Sequence, residues 1–237
     1  FGTDIRQGNI ESVDFSKRPF TLTDDNGNTI IAESVIVATG ASARWLGLDS
    51  ENKFFGMGVS ACATCDGFFY RGQDVAVVGG GDTACEEASY LANICNKVYL
   101  IVRRDELRAS KAMQHEVTSN PKIEILWNSV TEEILGDEDG VTGATLRNVK
   151  NNETFNINVT GFFVAIGHKP NTDIFKGQLD MDENGYLKTQ APSSQTNVPG
   201  VFAAGDVCDP HYRQAIVAAG KGCIAAIDTE RFLNLNK

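Results

Sequence analysis

Cys62 and Cys65 stand three residues apart in "SACATCDG", and Asp66 follows them directly. Two thiols at this spacing can close a very small disulfide ring, but so short a loop removes little entropy from the unfolded chain and makes a poor staple. They can also ligate zinc. That needs two more ligands at matching spacing, and the sequence offers no second C-x-x-C and only three scattered histidines, His115, His168 and His211. Thiol–disulfide exchange is the reading the pair serves best. Asp66 is then placed to protonate a leaving thiolate or collect its proton, unless it is only a solvated turn residue. Cys85, Cys95, Cys208 and Cys223 read as small apolar packing groups.

A second constellation begins a few residues later, in "DVAVVGGGDTACEEA". Gly79, Gly81 and Ala84 fit G-x-G-x-x-A between a strand and a helix. The first glycine permits a tight turn, the second lets the backbone approach a pyrophosphate, and the alanine lets helix and strand pack closely. Gly80, Asp82 and Thr83 fill the rest of the turn, where the helix N-terminus offers N–H groups and a positive dipole end. A plain strand-to-helix turn is the alternative. An unphosphorylated ribose calls for an Asp or Glu at the end of the next strand. Here that place holds Arg103, Arg104 and Arg108, whose forked donors suit a 2′-phosphate; a solvated basic patch is the competing account. In so acidic a chain the arginines favour NADPH over NADH. A nicotinamide gives up a hydride, whereas a dithiol passes electrons through thiolates. A flavin between them is therefore expected.

The elements that must hold these residues are legible as well. Residues 9–38 alternate as short strands with Asn26-Gly27 as a hairpin turn, and "SVIVATG" reads as a buried strand closing at Gly40. "DVAVV" (74–78), a helix with Ala84, Ala88, Leu91, Ala92 and Cys95 on one face, and "KVYLIV" (97–102) form a βαβ unit and so a parallel sheet. Residues 122–166 return to short strands, with a turn at Asp139-Gly140. A polar stretch leads to "VFAAGDV" and a final helix. Three strands run into glycine, at Gly40, Gly79 and Gly205, as strands do at the ligand-binding carboxyl edge of α/β sheets.

The chain has 237 residues, 42% hydrophobic and 22% charged, with a formal net charge of -10. That length buries a real core in one or two domains. The acidic balance argues against nucleic-acid and membrane-surface partners. No apolar run approaches the roughly 20 residues a bilayer span needs, and no signal peptide is recognised. Cysteine usage fits a cytoplasmic setting rather than a disulfide-dense secreted scaffold. The chain starts at Phe1 in strand-like sequence, so further residues are expected upstream.

Together "SACATCDG", "GGGDTACEEA", "RRDELRASK", "GFFVAIGHKPN" and "GVFAAGDV…YRQA" closely resemble the low-molecular-weight NADPH–thioredoxin reductases, over essentially the whole chain. The resemblance implies an α/β fold with two Rossmann-like, three-layer nucleotide-binding domains, the NADPH domain inserted in a discontinuous FAD domain. The pieces would be 1–44 and 172–237 for FAD and 45–171 for NADPH; the family's opening FAD fingerprint is not found before Gly40. Cys62 and Cys65 match the redox pair and Asp66 its acid. Gly79, Gly81 and Ala84 match the NADPH turn, and the three arginines its 2′-phosphate site. Gly205, Asp206 and Val207 match the second flavin motif, Arg213, Gln214 and Ala215 the segment near the isoalloxazine, and Gly40 a strand end near the flavin. Val102 stands where many members have His. Implied partners are thioredoxin and a second copy in a homodimer. A peroxiredoxin-system reductase, NADH-preferring, and a fragment that binds NADPH without turnover are the competing readings.

Overall fold

The computed structural model describes residues 2–236. The chain forms two compact units: the first runs to Ser42 and resumes at Lys169, and the second spans Ala43–His168. The first contains β1 (Ile10–Asp14), β2 (Phe20–Asp24), β3 (Thr29–Ala32) and β4 (Val35–Val37), and β5 (Ala41–Ala43) leads out of it. The second continues with α1 (Asp49–Phe54), β6 (Val59–Ser60), α2 (Ala63–Asp66), β7 (Asp74–Val78), α3 (Asp82–Ile94) and β8 (Lys97–Val102). It goes on through α4 (Lys111–Ser119), β9 (Ile123–Trp127), β10 (Ser129–Asp137), β11 (Gly140–Asn148), β12 (Thr154–Ile157) and β13 (Gly161–Val164). The chain returns by β14 (His168–Pro170), which pairs with β5, and ends in β15 (Val201–Ala203) and α5 (Ala215–Leu235).

The second unit is built in three layers. Its middle is an all-parallel sheet in the order β6-β13-β7-β8-β9. Alternation splits the strands between two cores. Val75, Val77, Val98 and Leu100 pack with Ala84, Ala88, Leu91 and Ala92 of α3, whose spacing makes one continuous stripe. Ala76, Val78, Ile101 and Phe162 face the other way, against Ile134, Ala144 and Leu146 of an antiparallel β10-β11-β12 meander. Being covered on both faces is why "DVAVV" and "KVYLIV" are apolar runs rather than alternating ones. β7, β8 and β9 follow in sequence, whereas β13 joins the opposite side of β7, so the strand order reverses between β7 and β13.

In the first unit, β1-β2-β3 is an antiparallel sheet with its turn at Gly27, where φ is 78° and the N–H donates to Asp24 O. β4 and β15 pair in parallel, Val35 with Val201 through Val37 with Ala203, over a core of Phe15, Phe20, Phe175, Leu179 and Val207.

Three expectations are corrected. "SVIVATG" is not buried throughout: Ile36 is 40% exposed, because among the described residues β4 has only β15 as a neighbour. Cys223 is exposed on α5 rather than packed. The unit boundaries fall at 42/43 and 168/169, before the 44/45 and 171/172 read from sequence. Lys169 and Pro170 belong to β14, and the Asn171 N–H donates to Gly40 O at 3.0 Å, so these residues stay with the first unit.

Candidate functional site

Cys62 and Cys65 form a disulfide, S–S 2.05 Å, on the single turn of α2. Cys62 caps that turn, its Sγ accepting from the Cys65 N–H at 3.2 Å. Cys65 is exposed and Cys62 half-buried, so the sulfur couple is open to a partner. The Asp66 carboxylate is held on the same turn by the buried Ser60 hydroxyl, which donates to Oδ2 at 2.6 Å. Burial, and after it the negative charge of Asp66, push the Tyr70 phenol above its usual pKa. A cleft of about 630 Å³ opens beside Asp66, bounded by Phe69, Tyr70, Asp137 and Asp139. Phe68 and Phe69 are 65% and 74% exposed, a costly arrangement for aromatic side chains that serve no contact.

The other cysteines of this unit are chemically quiet. Burial pushes the thiols of Cys85 and Cys95 up to about 11. Among the described residues no cluster of His, Cys, Asp or Glu is arranged to hold a metal ion.

A second cleft, of about 440 Å³, lies over the end of β7, where the strand order reverses. Gly79 and Gly80 form its floor, and Arg103, Arg104 and Arg108 line it. Gly79 has φ +151°, and a Cβ there would sit 2.4 Å from Ala165 O and 2.7 Å from Ala84 Cβ. No side chain fits. A Cβ on Gly81 would meet nothing within 4 Å, so the space above the start of α3 is open to a ligand. The 13-residue α3 starts at Asp82 with Gly81 as its cap and no side chain covering its first N–H groups.

The three arginines are exposed and make no ion pair among the described residues. Their loop is fixed at three points. The Arg108 N–H donates to Gly80 O at 2.7 Å, the Ser110 N–H to Asp82 Oδ1 at 2.8 Å, and the Asn128 N–H to Arg104 O at 3.1 Å. Accepting from Ser110 holds the Asp82 carboxyl below its usual range. Asp82 therefore meets the turn with its main chain while its side chain clamps the arginine loop. Thr83 and Ala84 follow in the first turn of α3, Ala84 fully buried.

Sequence reasoning missed Arg44, Leu46 and Leu48, which line the same cleft. Their loop is organised by Glu51, 3% exposed, whose carboxylate accepts from the N–H groups of Leu46, Gly47 and Leu48 at 2.7–3.0 Å. A lone Glu in a short helix carries no sequence signal of that role. Ser60 was missed too, although its place two residues before the C-x-x-C was a usable hint.

In the first unit, the parallel pairing of β4 and β15 sets Gly40 and Gly205 beyond neighbouring strand ends, both with positive φ (72° and 76°). Gly205 opens a single 3₁₀ turn with Asp206 half-buried and Val207 in the core. Arg213 adopts φ 48° and its guanidinium donates to Pro210 O; Gln214 caps α5, and Ala215 is its first residue.

Comparison with known proteins agrees over the whole chain. The family pattern described as pyridine nucleotide-disulphide oxidoreductase matches residues 2–222. A thioredoxin reductase of Coxiella burnetii is 56% identical, over 95% of this chain and 72% of its own length. One from Escherichia coli O157:H7 is 54% identical, over 99% and 75%. The solved thioredoxin reductase of Giardia duodenalis superposes with a TM-score of 0.92 at 46% identity, covering 98% of this chain and 76% of that one. This chain is a member of the pyridine nucleotide–disulphide oxidoreductases, within their thioredoxin reductase branch.

Proposed function

We propose that this chain works as a thioredoxin-disulfide reductase, passing two electrons from NADPH through FAD to Cys62–Cys65 and then to oxidised thioredoxin. One observation carries the reading: a surface disulfide shares a unit with a glycine-floored cleft lined by three unpaired guanidinium groups. When bound, the nicotinamide would supply hydride and the flavin would relay its two electrons.

The protein's own residues have distinct tasks. Gly79, Gly80 and Gly81 admit the pyrophosphate against the backbone, with the Asp82, Thr83 and Ala84 amides at the helix start. Arg103, Arg104 and Arg108 would hold the 2′-phosphate, a choice that distinguishes NADPH from NADH. Gly40, Gly205, Asp206, Val207, Arg213, Gln214 and Ala215 would hold the flavin. Reduction opens the Cys62–Cys65 bond to two thiol groups. One thiolate then attacks the partner's disulfide, forming a mixed disulfide; the partner's leaving sulfur takes a proton; and the second thiolate of the pair closes the ring and frees the partner's dithiol. Asp66 holds or delivers that proton at sulfur. Exposed Phe68 and Phe69 offer thioredoxin apolar surface beside the couple. The reading brings with it a homodimer and a cytoplasmic setting. No helix among the described residues is long and apolar enough to cross a membrane.

The test is Cys65→Ser in flavin-loaded protein. NADPH-dependent reduction of thioredoxin should fall to background, and undiminished turnover would overturn the proposed electron path.

A further inference from the structure

Ser60 sits at the end of β6, 5% exposed, and its hydroxyl has two partners. It donates to Asp66 Oδ2 at 2.6 Å and accepts from the Cys62 N–H at 3.1 Å. One buried oxygen thus ties the carboxylate that follows the redox pair to the main chain of the first cysteine. A hydroxyl suits both bonds at once, because it carries one donor and two acceptor sites. β6 is itself anchored in register beside β13, with Val59 opposite Phe162 and Ser60 opposite Phe163. The hydroxyl's position is therefore set by the sheet, not by the short α2 turn that carries the chemistry.

We propose that Ser60 is a positioning residue for the dithiol, orienting the Asp66 carboxylate and moderating its charge so that thiolates form more readily beside it. The proposal rests on the reading of Cys62–Cys65 as the redox pair. A carboxylate next to a thiol opposes the second negative charge; a short hydrogen bond from Ser60 draws charge away from that field. Removing the hydroxyl leaves the Asp66 carboxylate unoriented and its full charge facing the thiols, which disfavours the thiolates. The other titratable groups around Asp66 are Tyr70 on the following turn and Asp137 and Asp139 across the cleft. The two aspartates are exposed and screened by water, which leaves the buried Ser60 contact as the strongest local influence.

The experiment follows alkylation of Cys62 and Cys65 by iodoacetamide against pH, on the whole chain after chemical reduction, with products resolved by mass. Neither dinucleotide nor flavin is needed, so this readout stands or falls separately from NADPH-dependent turnover. Ser60→Ala should raise the midpoint by about half to one pH unit. Asp66→Asn should lower it, and Ser60→Ala added to Asp66→Asn should shift it no further. Ser60→Thr, which keeps the hydroxyl on a side chain suited to a strand, should match the parent. An unmoved midpoint in Ser60→Ala overturns the proposal. So does a shift of equal size in the Asp66→Asn background, and so does Ser60→Thr behaving like Ser60→Ala.

Discussion

Both units bring parallel strands to an end in glycine, yet the glycines are held in opposite ways. Gly79 is walled in by Ala165 O and Ala84 Cβ, whereas Gly40 has nothing within 4 Å of where a Cβ would stand, and Gly205 only Ala218 at 3.7 Å. In the second unit the residue is demanded by sterics as well as by backbone conformation. In the first it is demanded by positive φ alone. In the second unit, a five-stranded sheet covered on both faces leaves no slack at its switch point.

The sharpest way to break that comparison is a pair of alanine substitutions. Gly79→Ala should cost about 3 kcal/mol or more, since backbone and helix must both move. Gly40→Ala should cost about 1 kcal/mol, the strain of left-handed backbone for a residue with a Cβ. Urea unfolding of each variant decides, and equal midpoints would remove the distinction. Next in size, Arg103→Ala with Arg104→Ala should raise KM for NADPH about 100-fold and leave KM for NADH within about twofold. An unchanged KM for NADPH would turn the arginines back into a solvated patch, and equal losses for both cofactors would remove their 2′-phosphate role. Asp82→Ala, which only frees the clamp on Ser110, should raise KM for NADPH roughly fivefold.

Acid titration gives the smallest effect. The Asp173 carboxyl is held down to about 2 by hydrogen bonds from Lys169 and Lys176. A depressed folded pKa means the contribution is complete above the unfolded value of about 3.9 and is lost as pH falls through the folded one. Thermal stability should therefore show no step from these pairs between pH 7 and 5, and a small, salt-sensitive decline between about pH 4 and 2. Lys169→Gln should flatten that decline. Asp82 follows the same sign: its carboxyl is also held low by Ser110, so its clamp on the arginine loop persists until the pH falls below the usual carboxylate range.

Much of the second unit could be read before any coordinates. "DVAVV" and "KVYLIV" coincide with β7 and β8, and the helical stripe through Ala84, Ala88 and Leu91 is α3, because burial on both faces and one apolar face leave periodic traces. α4 left none: only Val117 is buried on it, so no stripe marks it, and its sole signal is Ser110 as a cap. The same limit hid the carboxylates. Asp82 sits in the glycine turn as any ligand-facing residue would, yet its side chain turns away to Ser110, a partner distant in sequence. Glu51 acts through three hydrogen bonds and Ser60 through two, and isolated polar contacts write no pattern into a chain.

The bond from the Arg108 N–H to Gly80 O has a consequence for redesign. It splices the segment that would grip the adenosine end of a cofactor onto the floor beneath its diphosphate. The bond runs between main-chain atoms, so exchanging the guanidinium groups for other side chains leaves the floor in place and changes only the charge above it. Converting this protein to the unphosphorylated nicotinamide therefore calls for side-chain exchange at Arg103, Arg104 and Arg108 with all three anchors of the loop kept.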